Sequence, residues 1–222
     1  CAKADDGAFE NYAVGEIYWC KLWYTDLGDS ACKNLVSWTH SRIGVDMCGF
    51  KQFYLSDNPS KRSSMTFLAS TLLQQKKSLS SSSGNSGGYA ETQLPAYLNG
   101  RLYNAFPVEW KQIIKKVKVM SSIGDQSTEI SSSDNYIYIP SVYELDPSYG
   151  TDPYIYEGST IQYMTTETDR ICKYEDGSTG SYWTRSPNYQ YQGYWFRVEE
   201  TGTISGYYYA YSEEGIRIMF SI

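Results

Sequence analysis

Histidine is almost missing from this chain: His40 stands alone among 222 residues. The five cysteines, Cys1, Cys20, Cys32, Cys48 and Cys172, form no CxxC pair. Zinc sites need Cys and His at close spacing, so a zinc centre is not expected. A Ser-His-Asp triad would have to use His40, and there is no GxSxG elbow to present a serine. The phosphate-cradling P-loop and GxGxxG patterns are absent as well. No apolar run approaches the ~20 residues that cross a bilayer, so no transmembrane segment is expected.

Positive charge is in deficit, with 19 Lys and Arg against 25 Asp and Glu for a net charge of -6. That argues against a nucleic-acid partner gripped through its phosphates. The short basic runs, Lys76-Lys77 and Lys115-Lys116 with Lys118, read as solvated helix faces. An odd number of cysteines leaves at least one thiol unpaired, and buried free thiols are the simplest reading. A chain opening at Cys1 reads as a piece of a longer polypeptide, or as a mature bacterial lipoprotein anchored at an acylated cysteine.

Aromatic residues are what the chain has in excess. Eight of its 23 tyrosines fall between Tyr182 and Tyr211, beside Trp183, Trp195 and Phe196. Tyrosine offers rigid, amphipathic contact area at low entropic cost, which suits a binding surface. Tyr194 to Glu199 alternates with a period of two, Thr201-Gly202 marks a turn, and Ile204 to Tyr211 resumes strand character. The last run puts Ile216, Ile218, Phe220 and Ile222 on one face, which predicts a strand inside a sheet. Asn188 to Gly193 has no hydrophobic period and reads as an exposed loop. The candidate ligand-binding residues are Asn188, Tyr189, Gln190, Tyr191, Gln192, Tyr194, Trp195, Tyr207, Tyr209 and Tyr211.

Earlier in the chain, residues 1–13 read as a lead-in and 14–222 as one domain. Val14 to Tyr24 predicts a buried strand, and a helix capped by Asp29 or Ser30 is expected to run to about His40. Met65, Leu68, Ala69, Leu72 and Leu73 follow helical spacing and predict a helix over 64–77. The serine-rich run 78–89 reads as a flexible surface loop. Helices are expected over 92–105 and from Pro107, then a strand from Val117, a polar loop over 121–133 and a short strand at 136–139. Ser141 and Glu144 fit a capping box.

Acidic residues at Asp146, Asp152, Glu167, Asp169, Glu175 and Asp176 could line an oxygen-rich Ca²⁺ loop. The ordered D-x-[DN]-x-[DN]-G pattern is absent, so no cofactor is expected and Ca²⁺ stays a secondary reading. Glu167 and Asp169 could also serve a glycosidase, an alternative in which the chain is a carbohydrate-active enzyme.

Four segments carry a family resemblance. Tyr136 to Leu145 (YIYIPSVYEL) is similar to the LPS-x-x-E-L/V element of a group of bacterial and phage C-type-lectin-like domains. Ser181 to Pro187 (SYWTRSP) resembles their YW-x-RSP element. Gly215 to Phe220 (GIRIMF) resembles their closing GVRP-A-F, with Ile218 where the group has proline. Leu94 to Lys116 resembles their S-x-L-x-x-YLN-x-x-F helix pair. The group looks like a distant relative of the formylglycine-generating-enzyme branch of that fold, which includes phage tail adhesins diversified by retroelements. No cysteine follows Tyr182, so the oxidase's copper-binding pair has no counterpart here.

The resemblance implies an α+β, C-type-lectin-like fold with small twisted antiparallel sheets and two to four flanking helices. It implies a non-catalytic receptor-binding or adhesin module on a phage fibre or bacterial surface, hence an extracellular setting. The expected partner is a cell-surface glycan or protein. The structural alternative is a virion or envelope component whose aromatic face packs a homo-oligomer or larger assembly.

Overall fold

The structure is a computed structural model; it describes residues 17–25 and 38–222, with side chains from residue 44 onward. It is mixed α and β, with short helices and three small antiparallel sheets. The five-stranded sheet contains β1 (Ile17–Thr25), β2 (Trp38–Phe50), β3 (Met65–Ala69), β6 (Ile137–Tyr138) and β10 (Met219–Ser221). Its order is β1-β2-β3-β10-β6. A hairpin pairs β4 (Val117–Ser122) with β5 (Ile130–Asn135). The third sheet has the order β7-β8-β9, with β7 (Tyr182–Pro187), β8 (Tyr194–Val198) and β9 (Ile204–Tyr209).

The expected closing strand is present and lies between β3 and β6. Residues 216–222 are buried on both faces, Arg217 included. Phe220 anchors the main core: it stacks on Phe67 and meets the edges of Phe106 and Trp110. The last two come from the helical region that covers the sheet. There α1 (Leu94–Tyr97), a π-helical turn (Leu98–Leu102) and α2 (Tyr103–Ala105) run on as one segment, followed by α3 (Val108–Ile113). Leu94, Leu98 and Leu102 all point into this core. Asn99, inside the π turn, accepts from the backbone N–H groups of Tyr136 and Ile137 and donates to the carbonyl of Ile137. A polar side chain thereby ties the helix to β6.

Three expectations are corrected. Residues 65–69 form a strand, not a helix. All five are buried because β3 lies between β2 and β10, and an interior strand covered on both faces shows an unbroken apolar run that mimics helical spacing. Residues 130–135 are a polar strand rather than loop; a half-exposed edge strand paired through its backbone needs no hydrophobic alternation. The helix expected to end near His40 lies mostly outside the described residues, but Trp38 to His40 begin β2 and pair with Trp23 to Thr25.

Candidate functional site

The sheet β7-β8-β9 presents the tyrosines. Along β9 successive side chains alternate faces. Tyr208 and Ala210 turn inward: Ala210 is buried, and the Tyr208 ring lies 3.3 Å from the Arg197 guanidinium with its hydroxyl donating to Glu199. Tyr207, Tyr209 and Tyr211 therefore share the outer face, where they are 63%, 39% and 52% exposed. Tyr194 of β8 sits directly across from Tyr209 in the strand register.

The rings form a continuous ladder. Tyr211 stacks on Tyr209 at 5.2 Å, and Tyr209 on Tyr194 at 4.8 Å. Tyr207 meets Tyr194 edge-on at 6.0 Å and Tyr191 at 5.7 Å. The hydroxyls of Tyr194 and Tyr209 are 3.1 Å apart, and that hydrogen bond raises the Tyr194 phenol above its ordinary value. Tyr149 packs edge-on against Phe196 at 5.5 Å.

The loop carrying Tyr191 is held from below. Asn85, buried in the serine-rich run, aims its side-chain amide at the carbonyls of Asn188, Tyr191 and Tyr194, at 2.9, 3.0 and 3.0 Å. Its carbonyl oxygen accepts from the Asp125 backbone. The Tyr154 hydroxyl donates to the Pro187 carbonyl and accepts from the Tyr189 N–H. Gly193 has φ +86°, and a Cβ there would come within 2.8 Å of the Ser83 carbonyl. The serine-rich run thus lies against the tyrosine loop, with Ser82, Ser83 and Gly84 exposed at its border.

Two candidate ligand residues are corrected. Asn188 is buried: its side chain donates to the Gly206 carbonyl and accepts from the Gln190 backbone. Trp195 is fully buried, and its indole N–H donates to the Gly84 carbonyl. Both hold the scaffold, because their polar atoms are committed to backbone partners and no surface is left for a ligand. Tyr189 is half-buried, edge-on to Tyr154. Gln190 and Gln192 are exposed; Gln192 donates to Asp125. The surface that remains comprises Gln190, Tyr191, Gln192, Tyr194, Tyr207, Tyr209 and Tyr211.

Beneath β7 lies a buried ionic cluster. Arg185 pairs with Glu144 through both carboxylate oxygens, at 2.6 and 2.8 Å. It also donates to the carbonyls of Ile139, Met120 and Glu157. The carboxylate of Glu157 accepts from Ser186 and from the Ser122 N–H. Burial dominates there and lifts the Glu157 carboxyl to about 7, against the opposing pull of Arg185. Glu144 closes the expected capping box with Ser141 at the start of α4 (Val142–Leu145). The PSVYEL and TRSP segments of the sequence therefore meet through this pair.

The acidic loops resolve into turn chemistry. Asp169 accepts from Thr165 and Thr166 at the start of α5 (Glu167–Arg170), and these bonds hold its carboxyl below the usual range. Asp146 pairs with Arg170, and Asp176 accepts from Ser178. Among the described residues no group of three or more His, Cys, Asp or Glu is placed to hold a metal ion. No helix of the described residues is long and apolar enough to cross a membrane.

Asn85 is the supporting residue that the sequence pattern hides. Its one signal is an amide side chain inside an otherwise Ser/Gly run. A family model described as Domain of unknown function (DUF6273) matches residues 63–222. No curated protein and no solved structure matches the chain.

Proposed function

The chain belongs to that family, and we propose that this member is a non-catalytic binding module whose outward tyrosine ladder engages a glycan or protein on a cell surface. The observation that carries this reading is the ladder itself. Five tyrosines from a loop, two strands and a turn stand in ring contact on one exposed face. Monomeric proteins seldom expose contiguous aromatic patches without a partner. The rings pack largely against each other, so they present edges and hydroxyls rather than bare faces. Such a surface can donate and accept hydrogen bonds while excluding water. Its border of serine, glycine and glutamine matches the adaptable composition of binding loops.

The scaffold supports the same reading. The loop is fixed by Asn85 and Tyr154, which reduces the ordering entropy that binding must overcome. Within this reading the fold is C-type-lectin-like and the module is an extracellular receptor-binding unit of a phage fibre or bacterial surface protein. The carbohydrate-active alternative is weakened, since Asp169 is a helix cap rather than a free catalytic carboxylate.

The test is a triple substitution, Tyr191→Ala with Tyr207→Ala and Tyr211→Ala, assayed on glycan arrays and on intact bacterial cells. Loss of binding with an unchanged melting temperature is the expected result. Light scattering on the parent chain separates the structural reading. A stable oligomer that the triple variant dissolves would assign the ladder to subunit packing.

A further inference from the structure

The C-terminal end of β2, the start of β3 and the end of β10 meet at one end of the five-stranded sheet. Residues just beyond those strand ends help line an open groove with a cavity volume of about 670 Å³. None of its lining residues belongs to the tyrosine ladder. Lys61, Arg62 and Lys115 border it, and no Asp or Glu side chain does. In a chain of net charge -6, such a local gathering of positive charge favours an anion.

Two details make this more than a basic surface. Ser63 lines the groove and is 1% exposed, and its hydroxyl has no hydrogen-bond partner. That leaves one hydroxyl donor in the groove's lining uncommitted to any protein acceptor. Arg62 makes its bonds to neutral acceptors: the carbonyls of Lys51 and Gln52 and the Tyr54 hydroxyl. Its guanidinium also lies 4.2 Å from the Tyr54 ring centroid. Those contacts orient the side chain and leave its charge uncancelled. Lys115 also lines an adjoining groove of mixed charge, with Lys111, Lys116, Asp57 and Asp134.

We propose that this groove binds a phosphate or sulfate ester. Lys61, Arg62 and Lys115 supply the countercharge, and the Ser63 hydroxyl donates to one ester oxygen. A tetrahedral oxyanion offers enough acceptor oxygens to engage several donors at once. The groove has room for a sugar-sized carrier behind it. Long polyanions are disfavoured by the chain's overall negative field, so a single ester group on a neutral carrier fits better than a nucleic-acid backbone.

Calorimetric titration of the whole chain at low ionic strength tests this, with glucose 6-phosphate, galactose 6-sulfate and inorganic phosphate as probes. The two esters identify which oxyanion is preferred, and inorganic phosphate shows whether the carrier contributes. The expected result is saturable binding of at least one ester that drops about tenfold or more in Lys61→Glu with Lys115→Glu. Ser63→Ala is expected to weaken the same binding without lowering the melting temperature, since the alanine removes no bond made in the free protein. Failure of every probe to saturate overturns the proposal. So does an affinity that tracks ionic strength and is unchanged by Ser63→Ala and the double charge reversal. Binding through the tyrosine ladder, read separately on cells, is expected to survive all three substitutions.

Discussion

Arg185 and Glu144, 41 residues apart in the chain, form a two-pronged ion pair with almost no access to water. The pair joins the start of α4 to the strand that leads into the tyrosine loop. Breaking one partner strands the other as an unpaired buried charge, which typically costs about 3–5 kcal/mol. Glu144→Gln keeps the side-chain length and a capping acceptor but removes the charge. It is expected to lower the urea midpoint strongly, with the slope unchanged. A midpoint equal to the parent's would show that Arg185 is balanced by Glu157 instead.

Glu157 predicts a pH dependence whose sign follows from its raised value. Its carboxyl sits at about 7 in the folded chain, against an ordinary 4.5. The folded state therefore holds this proton more tightly than the unfolded state does. Stability from this group is greatest below the ordinary value and declines as pH rises through the window to about 7. The slope inside that window reaches roughly 1.4 kcal/mol per pH unit. Glu157→Gln keeps the hydrogen-bonding shape and cannot titrate. Denaturation of parent and variant across the window should show the variant gaining on the parent as pH increases. Parallel curves would place Glu157 in contact with solvent.

The outer tyrosines and the residues beneath them should separate cleanly in stability. Tyr207→Ala and Tyr211→Ala remove exposed rings, and each is expected to stay within about 0.5 kcal/mol of the parent. Trp195→Ala empties a sealed site and is expected to cost about 3–5 kcal/mol. Asn85→Ala leaves three carbonyls without their shared donor and should cost about 1–3 kcal/mol. It should also speed amide exchange at Tyr189 and Tyr194. Equal losses for Tyr207→Ala and Trp195→Ala in chemical denaturation would mean that the ladder is core.

Cys48 and Cys172 are free and buried, and burial pushes both thiols above their ordinary value. In the folded chain at neutral pH, neither should react with iodoacetamide on the timescale of a small exposed thiol. Both should react in denaturant. Peptide mapping by mass spectrometry assigns the modified positions, and early labelling at Cys172 would contradict its burial.

Several elements were legible in the sequence because their signals are local. The alternation over Tyr194 to Val198, the apolar closing strand and the Ser141–Glu144 capping box each depend on residues a few positions apart. That Tyr207, Tyr209 and Tyr211 share one face followed from a period of two alone. Other elements were not legible. The 65–69 strand satisfied a helical spacing rule, and only its neighbours β2 and β10 decide its conformation. The exclusion of Asn188 and Trp195 from the ligand face was hidden for the same reason. Asparagine and tryptophan serve a binding loop or its foundation equally well, and the backbone carbonyls they reach lie far away in sequence.

By itself the sequence determined the strand periods, the caps, the tyrosine excess and the shortage of metal-ligating and nucleophilic motifs. Those properties are written in composition and short-range spacing. Tertiary structure alone decided which tyrosines face water, that Asn85 fastens the serine-rich run to the tyrosine loop, and that Arg185 meets Glu144. Each of these depends on desolvation and on hydrogen bonds between residues brought together by packing. No local rule carries that information, because burial belongs to the whole fold.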